Sequence, residues 1–169
     1  ENSVPGTSPL ITASQLAASL GRDDLCVIDC RFDLMHPADG RRAWLAGHIP
    51  GAVYADLDKD LAGPKSAESG RHPLPDVRRI EERLGQWGVG DDTDVVVYDA
   101  GSGAIAARAW WMLHWLGHGR VRLLDGGIGA WQGDGQPLET GPVTRPPATF
   151  TARPRQDMIF TTADVAAAL

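Results

Sequence analysis

The sequence is poor in cysteine, with two among 169 residues. Two cysteines build no disulfide framework. Cys26 and Cys30 both stand in "LCVIDC", which reads as a strand. Four residues along a strand span roughly 13 Å, too far for a bond between them. A reducing cytoplasm is the expected compartment. Also missing is any apolar run near the ~20 residues of a membrane span, so no membrane partner is expected. Basic charge is in deficit: 16 Lys and Arg against 22 Asp and Glu, net −6, with a pI near 5.2. Such a chain has no general attraction for nucleic acid or an anionic bilayer. The pairs Arg41–Arg42, Arg78–Arg79 and Arg120/Arg122 read as solvated faces, not a basic stripe. The opening "ENSVPGTSP" lacks a methionine, a basic segment and an apolar core, so no signal peptide is visible. Residues 1–8 read as a tail or an expression scar. His114 and His118 lie four apart with no third ligand in sight, so no metal is expected.

What is present suits one soluble α/β domain with extra segments: 43% hydrophobic and 22% charged residues. "TASQLAASL" places Thr12 three residues before Gln15, the spacing of a capping box, and predicts a short helix. "LCVIDC" is nearly all apolar, as a buried parallel strand would be. Residues 33 to 43 read as loop. "HIPGA" must leave helix, because proline disfavours helical geometry before it, and "AVYADL" then reads as a strand. Residues 59 to 75 read as a long loop. From Pro75 to Trp87, Val77, Ile80, Leu84 and Trp87 fall on one helical stripe. "DVVVYDA" predicts the central strand, and 104 to 116 a largely buried helix. In that helix Trp110, Trp111, Met112 and Trp115 are read as packing. "VRLLDGG" is a further strand and "IGAW" opens a short helix. This alternation predicts a parallel sheet of about five strands with helices on both faces.

The composition shifts after Gln136, where proline increases and apolar periodicity stops, which reads as a linker. Beyond it, "IFTTADVAAAL" (159–169) aligns without a gap to "LITASQLAASL" (10–20). An offset of about one domain predicts a duplicated protein. The expected division is residues 9–141 as one domain, 142–157 as linker, and 158–169 as the truncated start of a second domain.

"VVVYDAGSGAIAAR" (95–108) carries the candidate chemistry. An apolar strand runs into a glycine turn and a helix follows, the layout that presents main-chain amides to an anion. One candidate anion is a dinucleotide, since Gly101, Gly103 and Ala106 fit G-x-G-x-x-A and Asp125 could hold a ribose. Against it, the pattern lies mid-chain and Asp99 would repel a pyrophosphate.

A second reading takes more of the chain together. "GHIPGAVYADLD" (47–58), "GRHPLPD" (70–76), the 95–118 segment and "LLDGGIGAW" (123–131) occur in that order. Together they resemble the rhodanese-like family, in particular the N-terminal domain of two-domain thiosulfate or 3-mercaptopyruvate sulfurtransferases. The resemblance implies a rhodanese-like fold over roughly residues 9 to 141. It also implies cysteine-persulfide sulfur transfer in the full-length protein, from a small sulfur donor to a thiol or cyanide acceptor. No cofactor is implied. The family's cysteine would follow the central strand; here that position holds Asp99, and the N-terminal domain of such enzymes typically lacks the cysteine. No catalytic residue is therefore expected in this chain.

Asp99 reads most simply as a carboxylate capping the loop amides. His48 reads as a structural histidine fixing the "HIPGA" turn by hydrogen bonds; the resemblance implies instead that it approaches the cleft between domains and aids proton transfer there, with Asp39 placed by spacing to orient it. Asp39, Asp99, Gly101, Ser102 and Gly103 are the other candidates for the wall of that cleft. Cys30 ends a strand where ligands gather, so a reactive thiol is the alternative to a small buried hydrophobe. Trp44 stands where the motif usually has Phe or Tyr, and Ala55 where a bulkier residue is usual. Self-association of the bared domain face is an expectation. The alternative function is a regulatory or protein-binding module without catalysis.

Overall fold

A computed structural model describes residues 9–33, 35–57, 59–60 and 76–154. The expected tail, the 61–75 loop, Pro75 and the 159–169 copy lie outside the described residues. The apolar runs form five strands: β1 (Leu10–Ile11), β2 (Leu25–Asp29), β3 (Val53–Tyr54), β4 (Asp94–Tyr98) and β5 (Val121–Leu124). Their order is β1-β5-β4-β2-β3, and every pair is parallel.

Burial on both faces explains the unbroken apolar runs. In β4, Val95 and Val97 pack with α3 (Val77–Gln86) and α4 (Ala104–Trp115), while Val96 and Tyr98 join α1 (Ala13–Ser19) and α5 (Gly127–Gly133) in a second core. The sheet is thus a partition between two apolar layers. The Thr12–Gln15 capping box forms at the start of α1, with both reciprocal bonds made. Asp76 caps α3 by accepting from the Arg79 amide. Among the described residues no helix is long and apolar enough to cross a membrane.

Two elements differ from the expectation. Residues 39 to 43, read as loop, open α2 (Asp39–Ala46). Its start has no side-chain cap, and Gly40 weakens the helical signal. Glycine is required there because a Cβ would collide with the Arg31 carbonyl and the Tyr54 hydroxyl. The fifth strand, β1, is only two residues long, too short to show a period.

The chain after Gly141 crosses α3 and α4 as an extended strap. The Ala148 amide donates to Gly85 O at 2.8 Å, and the Arg153 amide to Leu116 O at 2.7 Å. Between them the Thr151 and Ala152 amides donate to Asp91 and Glu81 carboxylates at 2.9 and 2.7 Å. Phe150 is buried in the α3–α4 core. The part of the expected linker that is described is therefore docked on the body through backbone bonds, which apolar periodicity does not report.

His118 and His114 do not act as a pair. The His118 Nε2–H donates to the Thr93 carbonyl at 2.8 Å, with the ring against Phe150, whereas His114 packs on Trp110. Burial pushes the His118 pKa below its ordinary value. The fold thus holds the neutral ring, and the unfolded chain takes up a proton that the fold rejects. Stability from this group is present above the unfolded pKa of about 6.5 and is lost as pH falls through and below it. Urea midpoints should fall between pH 7.5 and pH 5, and fall less in His118→Gln. Equal slopes for the two proteins would remove His118 as the cause.

Candidate functional site

β2 and β4 run side by side, and the register places Asp29 opposite Tyr98 at their C-terminal ends. The loop that leaves β4 there is built around Asp99, which is 3% exposed. Its Oδ1 accepts from the Gly101 and Gly103 amides at 2.9 and 3.0 Å. Its Oδ2 accepts from the Ile105 and Ala106 amides at 3.2 and 3.1 Å. One carboxylate thus satisfies four main-chain donors at the start of α4, where helical amides have no partner within the helix. Ser102 turns back on the same loop and accepts from the Ala104 amide.

The "DGG" stretch supports this loop from beneath. The Ile128 amide donates to Asp99 O at 3.0 Å. Gly127 has φ of +61°, and a Cβ on it would lie 2.5 Å from Asp99 O. Glycine is therefore needed both for the backbone angle and for the close approach.

The carboxylate fills the seat that the dinucleotide reading assigned to a pyrophosphate. Gly101, Gly103 and Ala106 have given their amides to Asp99, so none is left for a phosphate. The dinucleotide expectation is corrected on that ground.

His48 is fully buried. Its Nδ1 faces Ile49 O at 2.9 Å and its Nε2 faces Gly141 O at 2.8 Å. The ring stacks on Trp44, with centroids 5.4 Å apart. Its backbone pairs in both directions with Glu139, at 2.8 Å each way. The residue pins the root of the strap. Asp39 does not orient it: Asp39 is exposed and accepts from Arg42 at 3.1 Å. That expectation is corrected, since the helix turns Asp39 to solvent. With Asp33 and His36 it forms an exposed group whose ligand atoms lie within 4.8 Å of one another.

Cys30 is also fully buried, and its amide donates to Tyr98 O at 2.7 Å. Burial first, then the Asp29 and Asp99 charges, push its thiol well above the ordinary range. Burial alone pushes Cys26 up to about 11. A thiol without thiolate and without access is unreactive, so the reactive-thiol reading of Cys30 is corrected to a packed small residue.

A polar network beside the loop escaped the sequence reading. Asp29, fully buried, is gripped by Arg31 through Nε at 3.0 Å and Nη2 at 2.6 Å. The Tyr98 hydroxyl donates to the same carboxylate at 2.8 Å and accepts from the Ile49 amide at 3.2 Å. Arg31 also donates to Gly47 O at 2.6 Å. Burial pushes the Tyr98 phenol well up, so it acts here only as a neutral hydroxyl. The network ties β2, β4 and the "HIPGA" turn together at the edge where the Asp99 loop stands. The Asp-x-Arg spacing at a strand end was the available signal.

A parallel sheet with helices on both faces, and a loop of converging amides closed on Asp99 after its central strand, defines an α/β domain. The chain belongs to the rhodanese-like domain family, whose pattern matches residues 12–134. It is 46% identical over 165 residues to a Pseudomonas aeruginosa protein named "Probable 3-mercaptopyruvate sulfurtransferase", covering 96% of this chain and 58% of that one. It is 33% identical over 163 residues to the 3-mercaptopyruvate sulfurtransferase of Escherichia coli, covering 94% and 56%. The crystal structure of SseA from Escherichia coli, described as a 3-mercaptopyruvate sulfotransferase of rhodanese fold, superposes with a TM-score of 0.85 at 33% identity. That match covers 96% of this chain and 62% of SseA. The chain therefore spans less than two thirds of the length of these relatives.

Proposed function

We propose that this chain is the N-terminal half of a two-domain sulfurtransferase, with Asp99 in place of the family's catalytic cysteine, and forms one wall of its cleft. The observation that carries the reading is the occupied cradle: Asp99 receives four amides where persulfide chemistry would need a thiol. The names and greater length of the relatives support it. In the whole protein, a cysteine thiolate outside this chain would attack the outer sulfur of a donor such as thiosulfate. The donor's S–S bond breaks, sulfite leaves, and a persulfide remains for a thiol or cyanide to accept. Oxygen in the Asp99 carboxylate cannot form that bond. With 3-mercaptopyruvate the thiolate would attack the donor's sulfur, the C–S bond breaks, and the pyruvate enolate leaves and takes up a proton to become pyruvate. A reducing compartment such as the cytoplasm suits two buried free thiols.

The test is sulfur transfer by the chain alone and by the protein carrying a downstream rhodanese-like domain. With outer-labelled thiosulfate, and separately with 3-mercaptopyruvate, the chain alone should show no turnover and no label on Cys26 or Cys30. The longer protein should turn over and carry the label on a cysteine beyond residue 169. Label retained on either internal cysteine overturns the reading. A longer protein with no transfer but with a tight protein partner would favour the binding-module alternative.

A further inference from the structure

A groove of about 270 Å³ lies beside β3, the strand at the free edge of the sheet. It is walled by α2, the C-terminal end of α3 and the first residues of the strap. None of the Asp99-loop residues, nor His48, lines it. The chain as a whole is acidic, yet among the described residues no carboxylate lines this groove, while Arg41, Arg83 and Arg145 do.

The three guanidiniums are held in different ways. Arg83 is neutralised by Asp60, Nε to Oδ1 at 3.0 Å, and carries no spare charge. Arg41 sits over the Trp44 ring, 5.4 Å from its centroid. Arg145 donates through Nε to Trp87 O at 2.8 Å. Neither Arg41 nor Arg145 meets a carboxylate among the described residues. Their tethers are neutral, so both keep their charge while losing part of their freedom. A guanidinium fixed by one nitrogen still offers a fork of donors that matches a carboxylate. The same groove is lined by the apolar side chains of Val53, Pro142 and Val143, alongside Tyr54, Gln86 and Thr144.

We infer that this groove binds a small organic carboxylate, its charged end between Arg41 and Arg145 and its apolar body against Val53, Pro142 and Val143. The volume admits a ligand of small-molecule size. Pre-tethered cations lower the ordering cost of binding. Inorganic anions lack the apolar body and should bind more weakly.

The experiment uses benzoate as probe, with benzamide as its neutral isostere and inorganic phosphate as the bare anion. The readout is the indole N–H signals of Trp44 and Trp87 in two-dimensional NMR. Benzoate should shift both saturably, with a Kd on the order of 1 mM. Benzamide should shift neither, and phosphate should need several-fold more. Arg41→Gln, on the exposed side of α2, and Arg145→Gln, which retains a donor for Trp87 O, should each weaken benzoate about fivefold or more. The inference fails if benzoate produces no saturable shift, if benzamide binds as well, or if either variant binds benzoate unchanged.

Discussion

Asp99→Ala is expected to lower the thermal midpoint of the domain by about 10 °C. The change leaves four loop amides without their acceptor. Hydrogen bonds to charged groups contribute about 1.5–3 kcal/mol each, and water reaching this edge restores some of them. A net loss of roughly 4 kcal/mol follows, and a domain of this size loses about 2–4 °C per kcal/mol. Asp99→Asn keeps one oxygen for two amides and turns its NH2 toward the others, so it should recover less than half. Asp99→Cys returns an anionic candidate to the same donors. Its thiol should react with iodoacetamide at pH 6 faster than free cysteine, because converging amides favour the thiolate. Calorimetry of the three variants and alkylation of the third check the series. A midpoint for Asp99→Ala within 2 °C of wild type, in roughly the range of 0.5–1 kcal/mol, would mean that water replaces the carboxylate without cost.

The second large effect lies at the strap. Phe150 is 4% exposed and joins the core between α3 and α4. Truncation to alanine should cost about 3–5 kcal/mol. Gly85→Ala should act in the same direction by another route, because its Cβ would stand 2.7 Å from Ala148 O and push the strap outward. Chemical unfolding of both variants should show reduced midpoints, and a protease should cut the strap of Gly85→Ala before the body opens. A Phe150→Ala protein as stable as wild type would place the strap outside the cooperative unit.

The central strands, the "HIPGA" turn and the "DGG" stretch were legible because local chemistry dictates them: apolar runs, a proline that blocks helix, and glycines at positive φ. The Asp99 cradle was legible for the same reason, since a carboxylate two residues before a glycine turn has amides within reach. Strand order was not legible, because nothing in β1 says that it will pair with β5 rather than β2. The Asp29–Arg31–Tyr98 network depends on the register of β2 against β4, which joins residues 69 positions apart. Spacing suggested that Asp39 serves His48, but α2 turns it outward. The strap is held by backbone amides, Phe150 and the Arg145 guanidinium, so its proline-rich composition reads as open chain while its bonds are those of a docked element.

A loop that carries its own counter-ion is indifferent to what dissolves around it. Asp99 is covalently part of the chain, so its effective concentration at the four amides never changes with supply. A dissolved anion would have to displace a tethered one that already accepts from all four amides, so this corner of the molecule needs no ligand to hold its shape.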